Sequence, residues 1–266
     1  MVQVRSITNG RSIKLIAQNV VRPVNYTAVV RAAGVYENPL TSIARYFMGG
    51  GSYPQSVRVR TPIGPQSITA FNSQDMITVH EIFCRQDYRC PSPPQVVVDL
   101  GSNIGVSALY FLTRSPSSRC DLYEPDPRNI EKLLQNIQGY EDRCTVHQAA
   151  VADTEGTLPF TREPTGRYGA LGDKIADWEI PGIEEISVRV ENINSVLKQA
   201  ISRHGVVDLL KIDTEGSELT TLRAIEPDML KHVRQIAIEW DDHNLTLDGF
   251  HVSSSCDVVR FTNKSM

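Results

Sequence analysis

The sequence predicts an α/β fold built on a mostly parallel, Rossmann-like sheet with helices on both faces, and three observations carry that prediction. A proline-rich break, Pro91-Ser92-Pro93-Pro94, is followed at once by the apolar run Val96-Val97-Val98, the pattern of a strand buried on both faces. Gly101 and Gly105 stand between that run and the next apolar segment, where a strand would turn into a helix. Beyond them, short apolar runs alternate with helical segments, as a parallel sheet with crossover helices requires.

The elements follow in order. Residues 1–90 read as an N-terminal cap: helices over 26–33 and 40–48, the second ended by Gly49-Gly50-Gly51, then a β-hairpin of 56–60 and 67–71 around a Pro- and Gly-rich turn. A helix over 75–83 leads out of the cap. Residues 91–266 read as one domain with strand 95–100, helix 105–112, strand 120–124, helix 128–137 and strand 144–151. The Gly- and charge-rich stretch 161–185 is too long and irregular for a tight connection and is a candidate lid. Helix 193–203, strand 207–212, helix 217–224 and strand 233–240 resume the alternation, and 249–261 supplies one or two closing strands.

Composition narrows the class of partner. In 266 residues a formal net charge of -4 leaves no basic field able to neutralise a run of phosphates, so long nucleic acid is not an expected partner. Arg58 and Arg60 alternate along one strand and are read as solvent-facing. Five scattered cysteines form no C-x-x-C pair, and residues 1–19 carry no continuous apolar signal segment. The expectation is a cytoplasmic protein without a membrane span, with a homodimer allowed.

The loop 99–105, Asp-Leu-Gly-Ser-Asn-Ile-Gly, is a nucleotide-type site by position. A nicotinamide dinucleotide would call for G-x-G-x-x-G, but counting from Gly101 the second and third glycine positions hold Asn103 and Val106. A ligand without a pyrophosphate relaxes that demand, and S-adenosylmethionine is such a ligand. Its expected contacts are Asp99, as acceptor for the cofactor ammonium, with Gly101, Ser102, Asn103 and Gly105 in the turn. Glu124, ending the second strand, would take the ribose hydroxyls, and Gln148, Ala149 and Ala150 would lie beside the adenine.

A sulfonium cofactor gives up its methyl group by in-line displacement, and positioning alone can supply roughly 7–11 kcal/mol of barrier reduction. Were the acceptor a hydroxyl, its proton would still have to leave, to a base or by way of a metal. Asp213 ends the fourth strand and Glu239 closes the fifth, so a parallel sheet brings both to one edge, and His243 follows in the next loop. Asp213 is the candidate acid beside sulfonium and acceptor, with Glu239 or His243 taking the proton. A competing role for Asp213, Glu215 and Glu218 is favourable charge at the next helix N-terminus, and the sequence does not assign Glu215. Asp213 with Glu239, Asp241 or Asp242 offers oxygen ligands for a divalent ion such as magnesium. Lys211, on a buried strand, calls for an acidic partner.

Asp99-Leu-Gly-Ser-Asn-Ile-Gly105, Glu124-Pro125 and Leu210-Lys-Ile-Asp-Thr-Glu-Gly-Ser-Glu218 resemble the motifs of the FkbM family of S-adenosylmethionine-dependent methyltransferases. The resemblance, over about residues 56–241, implies a class I methyltransferase fold with a seven-stranded sheet whose last strand is antiparallel. It also implies O-methylation, often of sugars or secondary metabolites. Residues 242–249 leave little room for the helix such folds place between the fifth and sixth strands. The alternatives are a nicotinamide-dependent oxidoreductase, or a module that binds the cofactor without turnover.

Overall fold

The computed structural model describes residues 23–172, 181–240 and 244–266, and these fall into two compact units that divide between Arg89 and Cys90. In the first, α1 (Pro23–Val35) and α2 (Pro39–Met48) precede a hairpin of β1 (Gln55–Thr61) and β2 (Gly64–Ala70). Pro39 at the first turn and Gly49 at φ 65° bound α2, the usual division of labour between a residue lacking an N–H and one tolerating left-handed angles. Val57, Val59, Ile68 and Ala70 form the buried face of the hairpin. Helix α3 (Asp75–Val79) continues into a π-helical turn, His80–Arg85. Arg58 and Arg60 are not simply solvent-facing: Arg58 pairs with Glu37 at 2.6 Å and Arg60 donates to the carbonyl of Tyr36 at 2.7 Å.

The second unit is an α/β domain. Its elements are β3 (Val96–Leu100), α4 (Val106–Leu112), β4 (Arg119–Tyr123), α5 (Pro127–Asn136), β5 (Cys144–His147), β6 (Ala150–Ala152), β7 (Gly156–Arg162), β8 (Gly169–Leu171) and β9 (Glu184–Asn192). They continue as α6 (Ile193–His204), β10 (Val207–Ile212), α7 (Glu218–Arg223), α8 (Pro227–Leu230), β11 (Val233–Glu239), β12 (Phe250–Ser255) and β13 (Val258–Asn263). Seven strands among the described residues form the main sheet in the order β12-β13-β11-β10-β3-β4-β5. Strands β10, β11, β3, β4 and β5 pair in parallel, whereas β13 runs antiparallel to both β11 and β12.

Burial explains the pattern. Val97, Val98, Leu209, Leu210, Ile236 and Ile238 are closed off on the central strands, each such side chain contributing about 1.5–3 kcal/mol relative to exposure. Helix α6 buries Ile193, Val196, Leu197 and Ala200, spacings of three and four that make one stripe. Every residue of α4 is buried, and all but Ser107 and Tyr110 are wholly apolar. Asp126 caps α5 by accepting from the Arg128 N–H at 2.9 Å, with Pro127 in the first turn.

Two expectations change. The strand predicted over 144–151 is two strands in different sheets: the Ala149 N–H bonds back to the His147 carbonyl at 3.0 Å, and this turn sends Ala150–Ala152 to pair with β9. A second sheet, β6-β9-β7-β8, reaches into both ends of the predicted lid, of which residues 173–180 lie outside the described residues; the alternation of Val188 and Val190 with exposed Arg189 in β9 was its signal. Residues 244–249 contain no helix, yet the sheet continues through β12 and β13. No described helix is long and apolar enough to cross a membrane.

Candidate active site

The sheet order reverses between β3 and β10: from β3 the chain builds outward through β4 and β5, from β10 outward through β11. In such sheets the crevice at the carboxyl ends of those two strands receives the ligand. The loop 99–105 lies there, with Gly101 at φ 77°, Asn103 at 48° and Gly105 at 83°. Its N–H groups at Gly101 and Ser102 donate to the Tyr123 carbonyl, both at 3.0 Å, which ties the turn to the end of β4.

The glycines answer first to the protein's own packing. A Cβ on Gly101 would fall 1.8 Å from the Asp213 carbonyl oxygen, because the backbone leaving β10 presses on the loop. On Gly105 it would meet Leu133 of α5 at 3.2 Å. Both glycines thus serve the contact of the loop with neighbouring elements.

Asp99 is fully buried. Its Oδ2 accepts from the Ser107 hydroxyl at 2.6 Å, and its Oδ1 pairs with Lys211 Nζ at 3.0 Å. The same ammonium reaches Asp213 Oδ2 at 3.2 Å and donates to the Gly101 carbonyl at 2.9 Å. Burial alone would lower the Lys211 pKa, but Asp213 and Asp99 outweigh it and hold the side chain charged, well above the ordinary lysine value. The acidic partner demanded by a buried lysine is thus a pair of acids, one on each of the two strands at the switch point.

Glu124 closes β4. Its Oε2 accepts from the Asn103 N–H at 2.9 Å and its Oε1 from the Asp126 N–H at 2.8 Å. Burial pushes its carboxyl up to about 7, an effect that those two N–H donors partly offset. Ser102 donates its hydroxyl to the Asp99 carbonyl at 2.9 Å. Gln148 is exposed and Ala149 and Ala150 are buried in the turn after β5, next to β4 in the sheet.

The Asn103 side chain does not wait for a ligand. Its Nδ2 donates to the carbonyls of Gly166 (3.3 Å) and Arg167 (3.1 Å), binding the connection between β7 and β8 over the loop. That connection is organised by buried Glu163, which accepts from the N–H groups of Thr165 and Arg167, both at 2.7 Å, and from the Thr165 hydroxyl. Asn129 also donates to Gly166, at 2.7 Å. Sequence reasoning saw an irregular lid here and missed the ordered strap, because a buried glutamate folding its own loop has no fixed spacing to search for.

Ile212 pairs in register with Ile238, so Asp213 and Glu239 leave adjacent strands at the same level; Glu239 is exposed and Asp213 partly so, its side chain 24% accessible. His243, Asp241 and Asp242 lie outside the described residues. Glu218 is a loop-folding acid: it accepts from the N–H groups of Thr214 (2.9 Å) and Gly216 (2.8 Å). Glu215, which the sequence leaves unassigned, sits at φ 53° between them. Burial and then its neighbours Asp213 and Glu218 push its carboxyl up to about 8, against the pull of Arg167 in the strap. Among the described residues no group of three or more His, Cys, Asp or Glu is arranged to hold a metal ion.

Comparison with known proteins agrees with this geometry. Residues 99–253 match the sequence model of the methyltransferase FkbM domain. The chain is 26% identical over 200 residues to methyltransferase sdnD of Sordaria araneosa, covering 64% of this chain and 74% of that protein. It is 28% identical over 169 residues to 2-O-methyltransferase NoeI of Sinorhizobium fredii, covering 58% and 66%. Over 173 residues it is 25% identical to 31-O-demethyl-FK506 methyltransferase FkbM of Streptomyces tacrolimicus, covering 56% and 66%. The chain spans just under two thirds of the length of these last two relatives. The family match begins at Asp99, the first residue of the loop at the switch point, and extends over more than half of the sequence: this chain belongs to the FkbM methyltransferase family.

Proposed function

We propose that this chain is an S-adenosylmethionine-dependent O-methyltransferase acting on a hydroxyl of a small molecule, a sugar moiety or a secondary metabolite. The observation that carries the reading is Glu124, a buried carboxylate ending β4 and bonded to the N–H of Asn103 in the switch-point loop. A carboxylate has about four acceptor sites. The backbone of Asn103 and Asp126 and the side chain of Asn129 leave it capacity for a ribose hydroxyl. Two relatives named for oxygen methylation, NoeI and FkbM, support the choice of acceptor atom.

Bound at this site, the cofactor supplies an electrophilic methyl group on a sulfonium. Gly101, Ser102, Asn103 and Gly105 shape the turn against it, Glu124 orients its ribose, and Gln148, Ala149 and Ala150 border the adenine. Asp99 acts through the loop and Lys211, since both of its oxygens are engaged inside the protein. Asp213 stands beside the sulfonium and the acceptor hydroxyl, and Glu239 or His243 receives the hydroxyl proton. Holding the acceptor in line is the larger part of catalysis.

Calorimetry with S-adenosylmethionine tests the first half: Glu124→Ala should weaken binding at least tenfold, and unchanged affinity there and in Asp99→Ala would remove the cofactor assignment. Incubation of the protein with methyl-labelled cofactor and a panel of glycosides and polyketides tests the second. Asp213→Asn should keep binding and lose turnover on whichever acceptor is labelled. Tight binding with no transfer to any hydroxyl would favour a non-catalytic module.

A further inference from the structure

We propose that the outer edge of β12 is an interaction surface for a second copy of this chain, the two β12 strands pairing antiparallel about a twofold axis at Ser253 so that the main sheets run on into one another. The inference goes beyond the cofactor and acceptor readings above and does not depend on them.

Strand β12 ends the main sheet and, among the described strands, pairs with β13 alone. Of the strands that end a sheet in the second unit it is the longest, with six residues against four in β5 and three each in β6 and β8. His251 to Ser255 are exposed in succession, so both faces of the strand are open, and residues 244–249, which lead into it, contain no helix to cover either. Sheet edges are ordinarily guarded by shortness, a charge, a proline or a bulge. His251-Val-Ser-Ser-Ser255 holds no Asp, Glu, Lys, Arg or Pro, and its register with β13 is unbroken from the Phe250–Asn263 pair to the Ser255–Val258 pair.

Hydrogen-bond parity says which groups face outward. The Lys264 N–H donates to the Gly249 carbonyl at 3.0 Å, so His251, Ser253 and Ser255 turn their N–H and C=O groups to β13, and the residues between them turn theirs away. The Phe250 N–H is taken by the Leu247 carbonyl at 3.1 Å, which leaves Val252 and Ser254 presenting both groups at the open edge. A twofold axis at Ser253 sets Val252 opposite Ser254 of the second copy, and Ser254 opposite its Val252, each N–H meeting a C=O. A foreign strand could meet the same groups, but the twofold pairing needs only this strand and brings no charged side chain opposite a like one. Val252, 38% exposed, lies diagonal to its own counterpart on one face of the joined sheet. Each copy has one such edge, so the assembly closes at two.

Sedimentation equilibrium of the full chain, from micromolar to millimolar concentration, should show a monomer–dimer equilibrium. Ser254→Pro removes one outward N–H and no bond to β13; it should unfold thermally as the parent does and weaken the dimer at least tenfold. Ser253→Cys places two thiols across the axis at a non-hydrogen-bonded pair, where Cα atoms stand about 4.5 Å apart, within disulfide range. Oxidised with copper phenanthroline, it should give a covalent dimer on a non-reducing gel, whereas Ser255→Cys, two residues from the axis, should give no more than the parent. A parent that stays monomeric over the whole range overturns the proposal, as does a dimer that Ser254→Pro leaves intact, or a Ser253→Cys that cross-links no better than Ser255→Cys. If Ser254→Pro does not fold, the comparison of the two cysteine variants decides alone.

Discussion

At the residue scale, Glu124 carries a cost that pH makes visible. Its carboxyl is held at about 7 in the folded protein against an ordinary 4.5, with burial the largest cause. Below pH 4.5 the group is protonated in both states and costs nothing. As pH rises from there the unfolded chain gives up the proton and the folded chain keeps it, so stability falls until the folded carboxyl ionises at about 7. The loss integrates to on the order of 3 kcal/mol. In urea titrations at pH 4.5 and 8, Glu124→Gln should lack that part of the decline, whatever its stability at either pH. A decline equal to that of the parent would show the carboxyl to be unperturbed. Glu215 contributes in the same direction and remains in the variant.

At the scale of the element, the switch-point loop is set by what packs on it. Gly101 and Gly105 both need positive φ, but their surroundings differ: a Cβ at Gly101 would meet backbone at 1.8 Å, whereas at Gly105 the nearest atoms, Leu133 Cγ, Cα and O, lie at 3.2–3.4 Å. Gly101→Ala should therefore cost about 3 kcal/mol or more, combining left-handed strain with displacement of the β10 terminus. Gly105→Ala should cost less, about 1–3 kcal/mol, left-handed strain together with a small outward shift of α5 at Leu133. Chemical denaturation of the two variants checks the order, and equal costs would mean that φ alone decides. The sequence made these glycines legible as a turn between strand and helix, because that needs only local spacing. It did not reveal that Asp213, more than a hundred residues later, fills the space beside Gly101. Lys211 was legible as a buried cation in need of an acid. That it has two acids, one from β3 and one from its own strand, depends on which strands become neighbours.

At the scale of the molecule, the parallel core was readable because its strands are continuous apolar runs separated by helices, while the second sheet, whose alternating signal is short, was read in part as an irregular lid. Strand β9 alternates buried Val188 and Val190 with exposed Arg189, and sits next to residues that look irregular in isolation. The closing hairpin shows what holds the main sheet at its other side. Strand β13 pairs antiparallel along β11, from Gln235 with Thr262 to Glu239 with Val258, and β12 covers β13 in turn. Phe250, Val258, Val259 and Phe261 are buried there, worth together about 6–12 kcal/mol at 1.5–3 kcal/mol for each side chain. That sum is comparable to the whole stability of an ordinary domain. Ending the chain after residue 249 would also bare the hydrogen-bonding edge of β11, with Ile236 and Ile238 in it, as a template for aggregation. The truncated protein should lose its cooperative thermal transition and pellet on expression, although the loop 99–105, Glu124 and Asp213 are all retained. A soluble truncated chain that still binds S-adenosylmethionine would show instead that the switch-point crevice is held together by β3, β4 and β10 alone.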